Sequence, residues 1–165
     1  MKDISTQKYH IIARVFHWVG ALLILVAYLL ADDYVGLHKA VGASFLLWTL
    51  LRIIGRLVTA TPKPVPAPAW QTALAHLTHL GLYVLMLAQP ISGILMSMYG
   101  GRAVDVFGIV QIPVMVSPDR AMAKLMNEWH TDIIFPAMLA LIVAHIAAAL
   151  YHQFIVKDNL IARMK

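Results

Sequence analysis

Between Arg14 and the acidic pair Asp32-Asp33 no charged side chain interrupts the chain, and three later stretches are built almost as cleanly. A bilayer core of roughly 30 Å takes about 20 predominantly apolar residues to cross as a helix. Four segments meet that requirement: about 14–31, 37–58, 72–99 and 127–156. The second is the weakest, because Arg52 and Arg56 fall in its last turns. The expected fold is all-α, an integral membrane four-helix bundle, with residues 1–165 as a single domain. A soluble alternative fails on composition. Hydrophobic residues make up 61% and charged residues 13%, against soluble norms of about 45–50% and about 25%, too few charges to cover a surface in water.

The connections differ in kind. Asp32-Asp33-Tyr34-Val35-Gly36 is a short acidic turn, and Thr61 to Pro68 places a proline at every second position from Pro62 onward. Proline fixes φ near −65° and lacks an N–H, so that stretch reads as an extended strap. The third connection, Gly100 to Met126, is long and rich in Gly, Pro and Val; loops of that length commonly carry function or fold over one face.

Basic residues orient the bundle. Lys2, Lys8, Arg14, Arg52, Arg56, Lys63, Lys157, Arg163 and Lys165 fall on the side of both termini and the proline strap, nine in all. Lys39, Arg102, Arg120 and Lys124, four, fall on the other. The positive-inside rule puts both termini in the cytoplasm. The net charge of +5 is thus read as flanks facing anionic lipid, with no nucleic-acid partner. The opening Met1-Lys2-Asp3-Ile4-Ser5 reads as lacking a cleavable signal pattern.

There is no cysteine, which excludes thiolate metal sites, iron–sulfur clusters and covalently attached haem. Histidine is the chemical signal instead. Of eight, His17, His38, His76, His79, His130, His145 and His152 fall in or at the ends of expected spans, and only His10 reads as interfacial. Ionisable groups at membrane depth are costly and commonly functional. His130 and His145 lie fifteen residues apart on the last span, roughly 22 Å at 1.5 Å per residue, one near each membrane face. His17 opens the first span on the inner side and His38 opens the second on the outer side. Two cross-helix pairs follow, His17 with His145 and His38 with His130, which are the axial ligands that two non-covalent b-type haems need in a helical bundle.

Other readings of these residues stand beside that one. A single membrane histidine is often an interhelical hydrogen bond, and His76 with His79, one turn apart, is a start for a divalent metal site. Trp18 and Trp129 adjoin proposed ligands but sit where interfacial belts lie. Arg14, Lys39, Arg52 and Arg56 are candidates to pair with haem propionates, although topology and snorkelling also account for the arginines. Gly42, Ala43, Gly81 and Gly93 offer room for a flat macrocycle or for plain helix packing.

Phe16-His17-Trp18, the run Leu74-Ala75-His76-Leu77-Thr78-His79-Leu80-Gly81-Leu82-Tyr83, the pair Trp129-His130 and the tail from Ala144-His145 through Tyr151-His152-Gln153-Phe154 and Lys157-Asp158-Asn159-Leu160 to Arg163-Met164 resemble the bacterial cytochrome b561 family. The resemblance covers essentially the whole chain. It implies a four-helix inner-membrane bundle with two bis-histidine b haems on His17, His38, His130 and His145. It also implies exchange of electrons with ubiquinone and, in some members, superoxide oxidation at the periplasmic face. By the same analogy His152 is a quinone-site candidate, with His76 and His79 after it. One departure stands out. The family spaces its two fourth-helix ligands fourteen residues apart, and here the spacing is fifteen. Fourteen residues at 100° return to within about 40° of one face, whereas fifteen overshoot by about 60°. A π-bulge or a kink near Pro136 is therefore expected to absorb one residue.

Three functions fit these observations: a superoxide:ubiquinone oxidoreductase, an electron-accepting cytochrome subunit for a periplasmic protein donor, and a haem-free histidine-lined transporter.

Overall fold

A computed structural model describes residues 7–165; Lys2 and the rest of the opening stretch counted above lie outside the described residues. Four helices are long and apolar enough to cross a membrane. The first, α1 (Ile11–Leu29), begins three residues earlier than expected because His10 acts as its cap, its Nδ1 accepting from the Ile12 N–H at 3.3 Å. The second, α2 (Val35–Val58), ends with Arg56 in its last turn, where a cation meets the free carbonyls favourably. The third, α3 (Ala69–Tyr99), starts directly after Pro68, the last proline of the strap, whose carbonyl accepts from the N–H groups of Gln71 and Thr72.

The fourth helix corrects the expected start by seven residues. It runs from Arg120 to Val156, because Asp119 caps it: Oδ1 accepts from the N–H groups of Ala121 and Met122 at 2.8 and 3.1 Å. Its first segment, Arg120–Glu128, is polar and carries a surface Lys124–Glu128 pair, so a search for apolar runs misses it. The helix then passes through a π segment at Trp129–Ile134 before resuming as α-helix from Phe135 to Tyr151. Of the π-bulge or kink expected from the fifteen-residue spacing, this is the first, ending two residues before Pro136. A second π segment, His152–Val156, ends the helix.

The long outer connection also folds in part, which the all-helical expectation did not include. A hairpin of β1 (Val104–Val106) and β2 (Val110–Ile112) pairs Val106 with Val110 around Phe107 and Gly108, both at positive φ. Asp105 Oδ2 accepts from the Gly108 N–H and closes the tip. β1 lies against α2, and Val104 is buried there.

Backbones pack closely in the series α1–α2, α2–α3 and α3–fourth helix. The fourth helix faces α1 and α2 through side chains, among them a Tyr28–Phe135 stack at 5.5 Å and the histidines described below. The enclosed residues are few, chiefly Ala40, Val41, Phe45, Met86, Ile134 and Met138. Large apolar side chains such as Leu57, 80% exposed, cover the outside, as a lipid-facing surface requires.

At the end that holds both described termini, the tail doubles back as a clasp. Arg163, 2% exposed, donates from Nε to the Gln7 carbonyl at 3.0 Å and from Nη2 to the Lys63 carbonyl at 2.7 Å. Its guanidinium lies over the Tyr9 ring, and its own carbonyl accepts from the Tyr9 N–H. Trp18 Nε1 donates to the Met164 carbonyl and Arg14 to that of Lys165. One buried cation thus ties the N-terminal segment, the proline strap and the tail.

Candidate functional site

The helices bring both expected histidine pairs together. His17 on α1 and His145 on the fourth helix have ring centroids 6.1 Å apart at 59°, and His38 on α2 and His130 are 6.0 Å apart and perpendicular. An imidazole nitrogen binds a metal at about 2 Å with its ring centre about 1 Å further back, so two rings flanking one metal ion stand about 6 Å apart.

The outer pair is held firmly. His38 Nδ1 donates to the Ala27 carbonyl at 2.8 Å. His130 Nδ1 lies 2.9 Å from the Gln89 carbonyl and 3.0 Å from Ser92 Oγ, and the Gln89 amide donates to the His130 carbonyl at 3.1 Å. A carbonyl on Nδ1 selects the tautomer that leaves the Nε2 lone pair free, the usual arrangement behind a metal-binding histidine. Gln89 Nε2 also stands 3.2 Å from His130 Nε2, so metal binding there requires that amide to give way. Gly93 permits the close fit: a Cβ at that position would meet His130 Cε1 at 3.0 Å.

The inner pair is held differently. Arg52 Nη2 donates to His17 Nδ1 at 3.3 Å, which favours the opposite tautomer, so binding through His17 Nε2 requires Arg52 to turn away. The guanidinium also lies over Tyr83 at 5.6 Å. His79 on α3 is a third member, its ring 5.3 Å from that of His145, closer than two rings sharing one metal ion between them would stand.

The other singled-out residues divide. Arg56 donates to Thr61 Oγ1 at 2.5 Å and lies over Tyr9, and Arg14 reaches the tail, so both are engaged in the clasp. Lys39 lines an outer cleft of about 370 Å³ between α2 and the hairpin, with Gly36, Ala103, Asp105 and Phe107. His76 is exposed. His152 pairs with Asp158 at 2.5 Å. Among the glycines, a Cβ on Gly81 would strike Leu141 at 2.7 Å, so that glycine serves packing, whereas one on Gly42 would meet nothing within 4 Å. Gln89, Ser92 and Asp158 are the residues that sequence reasoning missed. A glutamine and a serine in an apolar span were a signal of the same kind as the histidines.

A four-span bundle whose last helix brings His145 opposite His17 and His130 opposite His38 has the donor arrangement of a membrane protein that holds haem between its helices. The chain belongs to the prokaryotic cytochrome b561 family, whose sequence model matches residues 8–165; it is a membrane cytochrome b, a bacterial electron-transfer protein of a family that binds haem b. It is 30% identical to cytochrome b561 homolog 2 of Escherichia coli (strain K12) over 97% of this chain and 92% of that one, and 31% identical to homolog 1 of the same organism over 90% and 91%. A protein of Yersinia pestis named probable superoxide oxidase CybB is 28% identical over 96% of each chain. The donor set fits the group: imidazoles at iron-spanning separation, carbonyl-backed at the outer pair, and unhindered space beside Gly42.

Proposed function

We propose that this cytochrome holds two b haems, an outer one at His38 and His130 and an inner one at His17 and His145, and passes electrons from periplasmic superoxide through them to ubiquinone. The observation that carries this reading is the matched width of the two imidazole gaps, 6.0 and 6.1 Å, on ligands spaced for opposite membrane faces. Bound haem supplies one-electron storage at each site, with a potential tuned by axial ligands and hydrogen bonds. The protein supplies orientation: Ala27 and Gln89 fix the outer rings through Nδ1, and Arg52 brings a positive charge to the inner pair. Arg14, Lys39, Arg52 and Arg56 are the candidates to pair with propionates, the three arginines once their present partners release them.

Superoxide as donor is supported by the name of the Yersinia relative and by Lys39 at the outer cleft. A cation at a cleft raises the encounter rate of a small anion, against which stand Asp105 in the same cleft and Asp32, Asp33, Asp119, Glu128 and Asp132 on the same face. Both termini and the strap lie on the cytoplasmic side in this reading, supported by the nine-to-four distribution of basic residues. Quinone reduction then occurs at the inner end, with His152 against the head group and His79 and His76 further along α3. Ubiquinone, the lipid bilayer and superoxide are thus the partners.

A second reading, a protein electron donor on the periplasmic side, is favoured by the exposed apolar hairpin, where Phe107 is 51% and Ile109 83% exposed. One experiment separates the two. Purified protein is quantified for haem, expected at two per chain, and then given enzymatically generated superoxide and a ubiquinone analogue. Superoxide-dependent quinol formation supports the first reading. Two haems that superoxide does not reduce refute it in favour of a protein donor.

A further inference from the structure

Three irregularities converge on one acid–base pair at the inner end of the fourth helix. The helix finishes in a π segment at His152–Val156, a deformation found frequently at functional sites. Lys157 and Asn159 beyond it take left-handed backbone angles, φ 61° and 58°; asparagine accepts that region more readily than most residues, but a lysine adopts it only when its surroundings enforce it. Between them stands Asp158. Its N–H donates to the His152 carbonyl at 3.3 Å, its Oδ1 accepts from the Leu160 N–H at 3.1 Å, and its Oδ2 lies 2.5 Å from His152 Nδ1. The side chains are 18% (His152) and 13% (Asp158) exposed. The two strained residues fold a carboxylate back onto a ring six positions earlier, against the outward direction a helix end would otherwise give it.

The pair is aligned with the inner histidines. Seven residues separate His145 from His152; at 100° each they return within about 20° of the same face, about 10 Å further along the axis. Nothing in holding haem requires an acid there.

We infer that His152 and Asp158 form a proton-transfer dyad for the quinone, His152 as the catalytic acid and Asp158 as its positioning residue, an assignment that rests on the quinone reading above. Reduction of ubiquinone to ubiquinol takes two electrons, one at a time from haem, and two protons, which form the two O–H bonds. Asp158 Oδ2 holds the Nδ1 proton of His152, so the ring presents Nε2 to a quinone oxygen. Nε2 of the protonated ring releases its proton to that oxygen, and a neutral ring with Nδ1–H remains on the carboxylate. Water at the face bearing the exposed Lys157 and Lys165 restores the Nε2 proton, and the cycle repeats for the second O–H bond. In quinol oxidation the same nitrogen accepts each proton.

The test uses the full haem-loaded chain, with decyl-ubiquinol reducing haem in an anaerobic stopped-flow experiment in H2O and D2O. Asp158→Asn should keep wild-type haem content and spectrum, lose about 10–100-fold in the maximal rate, and change the half-saturating quinol concentration less than about threefold. Its solvent isotope effect should rise as proton transfer becomes limiting. Asp158→Glu should restore much of the rate. His152→Gln should lose as much as Asp158→Asn, and the double variant no more. Asn159→Gly, which relieves the strain but keeps the carboxylate, should retain the wild-type rate, a result that a purely structural tail would also have to match. A wild-type maximal rate in Asp158→Asn, or a loss confined to half-saturation, overturns the dyad. Wild-type protein that quinol does not reduce overturns the quinone reading itself.

Discussion

Gly93 is where the outer pair is most sensitive to a single methyl group. Carbon atoms prefer separations of about 3.5–4.0 Å, and the Cβ of Gly93→Ala would stand 3.0 Å from His130 Cε1 and 3.3 Å from Nδ1. The ring cannot yield freely, because Nδ1 is held by the Gln89 carbonyl at 2.9 Å and Ser92 Oγ at 3.0 Å. Retreat by about half an ångström costs part of those bonds, worth about 1 kcal/mol each, and overpacking of a filled interior costs about 1–3 kcal/mol. A loss of about 2 kcal/mol in holding the outer ligand corresponds to about 30-fold weaker haem binding at that site. Haem titration of apoprotein, read by the Soret band, should show one weakened and one unchanged site. Gly36→Ala serves as control, since a Cβ there meets nothing within 4 Å. Equal haem affinity at both sites of Gly93→Ala would refute the reasoning, as would an equal loss in the control.

Other perturbations follow from the same structure. Deleting Ile133 returns the His130–His145 spacing to fourteen and should convert the π segment to regular helix with both haems retained; inserting an alanine there instead should cost one haem, read by the pyridine haemochrome assay. Arg163→Ala leaves the Gln7 and Lys63 carbonyls without their charged donor, and at about 1.5–3 kcal/mol per bond to a charged group the tail should become sensitive to limited proteolysis while haem content holds. Charge reversal at Lys39 and Arg120 should slow superoxide-driven haem reduction and flatten its salt dependence; rates that ignore both salt and charge would remove steering. A C-terminal reporter active only in the periplasm would reverse the orientation and exchange the faces of the two sites.

What could be read in advance was whatever depends on periodicity. Apolar length located α1, α2 and α3 to within three residues, and the fifteen-residue spacing of His130 and His145, set against the family's fourteen, led to an expected π-bulge or kink, of which the structure has the π segment. Features built from short polar interactions were not legible. The Asp119 cap extends the fourth helix through a stretch too polar to read as membrane-spanning, and the hairpin depends on Phe107 and Gly108 taking positive φ. At the histidine pairs, depth and spacing were readable, but the partners that orient each ring were not. They come from a backbone carbonyl on α1 (Ala27), a turn of α3 (Gln89, Ser92) and a guanidinium on α2 (Arg52), contacts that exist only once helices cross. Asp158 was visible as part of a family signature, yet its contact with His152 needs Lys157 and Asn159 both left-handed, and for the lysine no propensity favours that.

Both histidine pairs draw one member from the fourth helix, and the other members come from α1 and α2. Synthesis proceeds from the N-terminus, so α1, α2 and α3 enter the membrane while His17 and His38 still lack their opposite rings. Neither site can close until the fourth helix has been made and has docked, and the tail then locks against Tyr9 and the strap behind it. If haem binds at these pairs as proposed, loading is a late event in the life of the polypeptide. A truncated or stalled product carries half-sites only, and cells that make the chain faster than they make porphyrin should accumulate an inserted, colourless form that takes up haem afterwards without new translation.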